Sequence, residues 1–168
     1  MLKLMKGFVL SRSWSCYFLA LGVGIVALGL YVTTLSGWLD DWDSVNFALG
    51  LRDYNLVANR PHPPGFPVYI FLGKLFNVLI RNEVLSLTLL SAVSGVLALF
   101  LIYALGKASF SAPVGLGAMA LAALTPLFWL NSVKAMSDMP ALCFTLLAVY
   151  LLYRSLLECQ EARLFYGA

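Results

Sequence analysis

The chain has 168 residues, of which 61% are hydrophobic and only 11% are charged, and its mean hydropathy is +0.88. Soluble domains are usually about a quarter charged, so this composition excludes an ordinary soluble domain and indicates an integral membrane protein. The net charge is only +3 and the basic residues are scattered along the chain, which argues against a nucleic-acid-binding protein.

The first predicted element is a membrane span over Cys16–Leu35, preceded by the basic residues Lys3, Lys6 and Arg12. A helix needs about 20 apolar residues to cross a bilayer, and this stretch is longer than the core of a usual signal peptide. We interpret it as a retained signal anchor. Basic residues favour the cytoplasmic side of a membrane, so residues 1–15 are expected in the cytoplasm.

A polar segment over residues 36–83 follows the first span, and we expect it on the exterior side of the membrane. It contains two predicted juxtamembrane helices, at about 44–53 and 66–80, separated by the sequence NRPHPPGFP, whose prolines forbid helix. The helix at 66–80 is short for a span, and its polar residues recur at three- and four-residue spacing. It therefore fits a helix that lies in the interface better than one that crosses the membrane.

Three further segments are long and apolar enough to cross a membrane, namely 84–105, 112–130 and 140–157. Backbone groups in lipid have no water to pair with, so each of these spans must be a helix. The expected fold is an all-α integral membrane domain in the cell (inner) membrane. The positive-inside rule favours Lys107 on the cytoplasmic side, which puts Asp138 on the exterior side with the polar segment. If 66–80 crossed instead, every later segment would be reversed.

Acidic residues cluster directly after the first span. Asp40, Asp41 and Asp43 are flanked by two tryptophans, which favour the membrane–water interface, so these acids lie at the depth of lipid headgroups. Each also has a purely structural explanation, since Asp43 can lie at or beside the N-cap of the next helix. Likewise, His62, the only histidine, can simply hydrogen-bond a turn. Ionisable groups at membrane depth favour a function but do not specify a reaction.

Two sequences in this segment carry a family resemblance: DSVNFA, which begins at Asp43, and HPPGFPVYIFLGKLF, which begins at His62. They resemble the first exterior loop of membrane glycosyltransferases with the GT-C fold. The similarity is to the branch with the protein O-mannosyltransferases and to bacterial relatives with an HPPG motif, and more distantly to the lipid A aminoarabinose transferase. Its specific part runs from Asp43 to about Phe76, and the layout of nearly the whole chain agrees with the N-terminal part of a GT-C fold.

The resemblance implies transfer of a sugar from a polyprenyl-phosphate donor to an acceptor on the exterior face, with Asp43 as the catalytic base. A carboxylate within hydrogen-bond reach can take the proton of the attacking acceptor hydroxyl. The leaving lipid phosphate needs cations or a metal nearby. The candidate acceptor- and donor-binding residues are Asp40, Asp41, Asn46, His62, Lys74, Arg81, Lys134 and Asp138.

The chain also departs from this family. Relatives carry acids where Ser44 and Asn46 stand, and they have more spans, so a fragment that needs a missing C-terminal part or another membrane subunit is one expectation. No cofactor is certain. The sequence leaves open whether a divalent metal binds, although it has no cluster of His, Cys and carboxylate residues at the spacing of metal ligands. The alternative function is a non-catalytic membrane protein that assembles with or regulates a membrane partner.

Overall fold

The protein is described by a computed structural model over residues 2–166, with side chains described for residues 14–158. Within that part the chain forms seven helices and no strand, which confirms the predicted all-α class. The helices are α1 (Leu2–Thr33), α2 (Trp42–Arg52), α3 (Pro67–Ile80), α4 (Glu83–Ser109), α5 (Ala112–Leu124), α6 (Pro126–Val133) and α7 (Asp138–Tyr166).

Three helices in the described residues are long and apolar enough to cross a membrane: the Trp14–Thr33 part of α1, all of α4, and the Asp138–Glu158 part of α7. α4 is the central helix and packs against each of the other six described helices. Small residues allow this close packing. For example, a Cβ on Gly106 of α4 would lie 2.7 Å from the Cα of Gly115 in α5.

The third predicted span, 112–130, is not one straight helix. It consists of α5 and α6, which bend by 66° at Thr125 and Pro126 and together are long enough for one broken span. Pro126 has no backbone N–H to donate, and its ring disfavours helical geometry at the preceding residue. Accordingly, Thr125 has an extended conformation, with ψ of 122°. A single span was predicted here because the hydrophobic run continues on both sides of Pro126.

One end of the helix bundle, here called the loop end, collects the end of α1, the end of α6 and the starts of α4 and α7. The Ser36 N–H, just after α1, donates to the Val133 carbonyl at 2.9 Å. Near the start of α4, the Ser91 hydroxyl donates to the carbonyl of Met136 at 3.0 Å, directly before α7. The polar segment with α2 and α3 lies at this same end.

The opposite end of the bundle holds the start of the described part of α1, the end of α4 and the start of α5. Here Lys107 donates to the hydroxyl of Tyr17 at 2.8 Å, and its ammonium lies 4.0 Å from the centre of that ring. Gly106 and Gly115 meet at this end as well. The bundle thus places Lys107 and the polar segment at opposite ends.

α3 packs beside the first turns of α4 rather than along its whole length. The Ser86 hydroxyl donates to Asn77 Oδ1 at 3.2 Å, and Gly73 is closely covered by Leu51 of α2 and Leu87 of α4. Many apolar side chains of α3 are exposed, including Val78. These contacts keep α3 in the loop half of the bundle.

Candidate functional site

α2 begins with a cap formed by Asp41 and Ser44 rather than by Asp43. Asp41 is the N-cap residue, with extended backbone angles. The Ser44 hydroxyl accepts from the Asp41 N–H at 3.2 Å and donates to the Asp41 carbonyl at 2.6 Å. Asp43 lies in the first helical turn, where a negative charge is favoured by the helix dipole. Its carboxylate is therefore not required as the cap and is available to other partners.

The partner of Asp43 is His62, which comes from the proline-rich segment between α2 and α3. Nε2 of His62 lies 3.7 Å from Oδ1 of Asp43, with the Asp43 side chain about half exposed and that of His62 one-quarter exposed. A turn closed by Gly65, whose N–H donates to the His62 carbonyl at 2.9 Å, positions the histidine. Gly65 has φ of +91°, a conformation that favours glycine.

Four aromatic rings, here called the Phe47 cluster, hold this region together. The ring of Phe47, which is 1% exposed, lies 5.6 Å from His62, 5.0 Å from Phe66 and 4.8 Å from Tyr69 between centroids. His62 and Phe66 are also in contact, at 5.2 Å. Because Phe47 belongs to α2 and Tyr69 to α3, the cluster fixes the two helices against each other. No role for Phe47 or Tyr69 was predicted from the sequence.

Tyr69 extends the cluster towards Asp138. Its side chain is almost fully buried, and its hydroxyl has no hydrogen-bond partner within residues 14–158, although Ser91 lies beside it. Burial raises the pKa of the Tyr69 phenol; the nearby Ser91 hydroxyl opposes this rise, and the negative charge of Asp138 adds to it. The structure thus brings Asp138, at the start of α7, to the same end as Asp43.

A cavity of about 280 Å³ lies between the starts of α3 and α7, next to the Phe47 cluster. Two cluster members, Phe66 and Tyr69, form one of its walls. Its surface is almost entirely apolar. The cavity therefore places a space for hydrocarbon next to Phe66, which in turn packs against His62, the partner of Asp43. Its lining residues are Phe66, Pro67, Val68, Tyr69, Ser137, Pro140, Ala141 and Phe144.

The other predicted acids have partners of their own. Lys134, which follows α6, lies 3.4 Å from a carboxylate oxygen of Asp41, and Asp40 accepts from the Ser36 hydroxyl at 2.9 Å. Asn46 is buried at 5% exposure, and its Nδ2 has no partner within the described side chains. Lys134 and Asp41 therefore meet at the start of α2, where Asp41 comes two residues before Asp43.

The structure does not bring Lys74 and Arg81 to the Asp43 and His62 pair. Lys74 is exposed on α3, beside an open groove that it shares with Tyr54 and Phe71. Arg81 is exposed at the C-cap of α3, with φ of +57°. Neither forms an ion pair with another residue whose side chain is described. Both cations face outward at the loop end.

A further ion pair, missed by the sequence analysis, anchors the end of α2 to the start of α4. Arg52 donates from Nε to Glu83 Oε1 at 2.7 Å and from a second nitrogen to Oε2 at 3.2 Å. Within residues 14–158, no group of three or more His, Cys, Asp or Glu residues could hold a metal ion. The sequence left the binding of a divalent metal open, and these residues offer no set of ligands for one.

A family model described as dolichyl-phosphate-mannose-protein mannosyltransferase matches residues 61–168, which is more than half of the chain. No curated protein and no solved structure matches the chain. The matched region begins immediately before His62 and includes Tyr69 and Asp138, whereas α2 with Asp43 lies just outside it.

Proposed function

Because the chain belongs to the dolichyl-phosphate-mannose-protein mannosyltransferase family, a group of GT-C membrane glycosyltransferases, we propose that it transfers a sugar from a polyprenyl-phosphate donor to an acceptor hydroxyl. The reaction takes place at the loop end of the bundle, on the exterior face of the membrane. Asp43 is the general base. Asp40, Asp41, Asn46, His62, Lys134 and Asp138 help to bind the donor and the acceptor at this end of the bundle.

The observation that carries this proposal is the position of Asp43. It lies in the first turn of α2 without serving as the cap, and it contacts His62, a member of the Phe47 cluster, of which two other members line the apolar cavity. A cavity that combines an apolar wall with a few polar groups suits a ligand with a hydrocarbon chain and a polar head. A polyprenyl-phosphate sugar is such a ligand.

The chemistry follows from these groups. The acceptor oxygen attacks the anomeric carbon of the sugar while Asp43 takes the hydroxyl proton. The bond between that carbon and the phosphate oxygen breaks, and the lipid phosphate leaves with the electron pair. Cations stabilise the charge that develops on the leaving phosphate. Lys134 is the nearest candidate, because it already contacts Asp41 at the start of α2.

The proposal is tested by measuring consumption of dolichyl-phosphate mannose and other polyprenyl-phosphate sugars in membranes that contain the chain. Asp43→Asn should lower turnover by about 10²- to 10⁴-fold, which is the usual contribution of a general base. Asp53→Asn is the matched control, because Asp53 lies just beyond the other end of α2 and pairs only with Arg60 among the described residues.

Two results would contradict the proposal. If Asp43→Asn turns over donor like the wild type, Asp43 is not the base. If the wild-type chain consumes no donor under any condition, the non-catalytic membrane protein becomes the better account, and Asp43 then serves to stabilise the first turn of α2.

A further inference from the structure

We infer that His62 is a positioning residue that holds the Asp43 carboxylate in the orientation needed to accept a proton, an inference that rests on the proposed function. The contact between His62 Nε2 and Asp43 Oδ1, at 3.7 Å, is the starting observation. The Asp43 side chain is about half exposed, so without a partner its carboxylate would rotate freely. Misplacement of a reacting group by about 1 Å can cost about 100-fold in rate.

The imidazole of His62 is itself held in place by packing. Its ring packs against both Phe47 and Phe66, at centroid distances of 5.6 and 5.2 Å. The preceding Pro61 is fully buried. In the turn that follows, the Gly65 N–H donates to the His62 carbonyl. A ring that packs against two other rings and is held on both sides along the chain can orient a neighbour. This is the property that distinguishes a positioning residue from a mobile surface histidine.

The surroundings of the two ring nitrogens select the position of the imidazole proton. Nδ1 of His62 is buried and has no hydrogen-bond partner among the described residues, whereas Nε2 faces Asp43. A neutral imidazole carries one N–H, and a buried N–H with no acceptor is costly. The proton therefore belongs on Nε2, where Oδ1 of Asp43 can accept it. The other carboxylate oxygen, Oδ2, is then left to take the proton of the acceptor hydroxyl.

The 3.7 Å contact is longer than a hydrogen bond, and we expect it to shorten when the acceptor binds, as catalytic hydrogen bonds often do. His62 does not itself exchange a proton with substrate in this scheme. It acts through Asp43, so its loss should lower kcat far more than it raises the KM for the donor. This pattern separates positioning from a role in donor binding.

The pairing can be measured without any enzymatic assay, because His62 is the only histidine in the sequence. Protein labelled with ¹⁵N-histidine and purified through a tag that contains no histidine gives imidazole ¹⁵N signals from this residue alone. In the wild type we expect the form protonated at Nε2. Asp43→Ala should redistribute the two neutral forms, whereas the control Asp53→Ala should leave the spectrum unchanged.

Kinetics provide the second measurement. His62→Leu should lower kcat by about 10- to 100-fold with little change in KM, and His62→Gln, which keeps an N–H near the position of Nε2, should restore part of the loss. The inference is overturned if Asp43→Ala leaves the histidine spectrum unchanged, or if Leu and Gln at position 62 are equally impaired. Should the wild type consume no donor, the proposed function fails, whereas the spectrum still decides whether His62 and Asp43 are paired.

Discussion

The rings of Phe47 and Tyr69 meet nearly edge to face, with their centroids 4.8 Å apart and an interplanar angle of 76°. Through this contact α2, which carries Asp43, is fixed against α3. Asp138, at the start of α7, lies near enough to Tyr69 for its negative charge to help raise the pKa of the phenol. Of the four acidic candidates, Asp43 thus shares a helix with Phe47, and Asp138 lies near Tyr69.

Phe47→Ala should therefore destabilise the loop end. Phe47 is 1% exposed and contacts three other rings, and replacing a buried Phe by Ala typically costs about 3–5 kcal/mol. We expect a clear fall in the melting temperature of the detergent-solubilised protein. This temperature is measured from the amount of protein that remains monodisperse in gel filtration after heating. Val45→Ala is the control, because Val45 lies on the same helix but is exposed. Equal stability of the two variants would show that the cluster does not hold α2 in place.

Tyr69→Phe should leave stability unchanged or raise it. The Tyr69 hydroxyl is buried without a hydrogen-bond partner among the described residues, and an unpaired buried polar group is costly. Since burial raises the pKa of this phenol, it stays neutral and can act as a donor to a ligand in the cavity. We therefore expect Tyr69→Phe to bind the polyprenyl-phosphate sugar more weakly, with an unchanged or higher melting temperature. A marked loss of stability would instead indicate a structural hydrogen bond, with Ser91 as the nearest candidate.

Gly115→Ala should disturb the packing of α5 against α4. A Cβ at Gly115 would meet the Tyr103 carbonyl oxygen and would lie 2.8 Å from the backbone nitrogen of Lys107, and neither of these atoms can move away easily. Such overpacking typically costs about 1–3 kcal/mol. Gly117→Ala is the matched control on the same helix, since nothing lies within 4 Å of its added Cβ. Thermal unfolding of the two variants in detergent compares them directly, and an equal effect would contradict the close approach of the helices.

The side of the membrane that α3 occupies can be determined by cysteine labelling of intact cells in a cysteine-free background. Val57→Cys, 97% exposed before α3, should react with a membrane-impermeant thiol reagent. Phe110→Cys, 79% exposed beyond the end of α4, should react only after the membrane is permeabilised. If α3 crossed the membrane, position 110 would lie on the same side as position 57. Labelling of both positions in intact cells would therefore disprove the interfacial α3.

Much of the fold follows from the sequence by itself. Long apolar runs must be helical in lipid, which determined the all-α class and the approximate positions of the spans. Pro61, Pro63 and Pro64 exclude a helix between Arg60 and Gly65, which separated α2 from α3. The proline at 126 was equally visible in the sequence, but the apolar run around it favoured a single straight span. The bend of 66° shows that local backbone chemistry prevailed over average hydropathy at that point.

The partners of the polar side chains were decided only by the tertiary structure. Sequence spacing left open whether Asp43 caps α2, and it could not pair Asp43 with His62, because that contact depends on how the proline-rich segment folds back over α2. The packing of Phe47 against Phe66 and Tyr69 determines that geometry. Hydrophobic periodicity identifies the buried face of a helix, but it does not specify which distant side chain that face will contact. The sequence therefore determined the types of helix and the chemical groups available, and three-dimensional packing decided which groups meet.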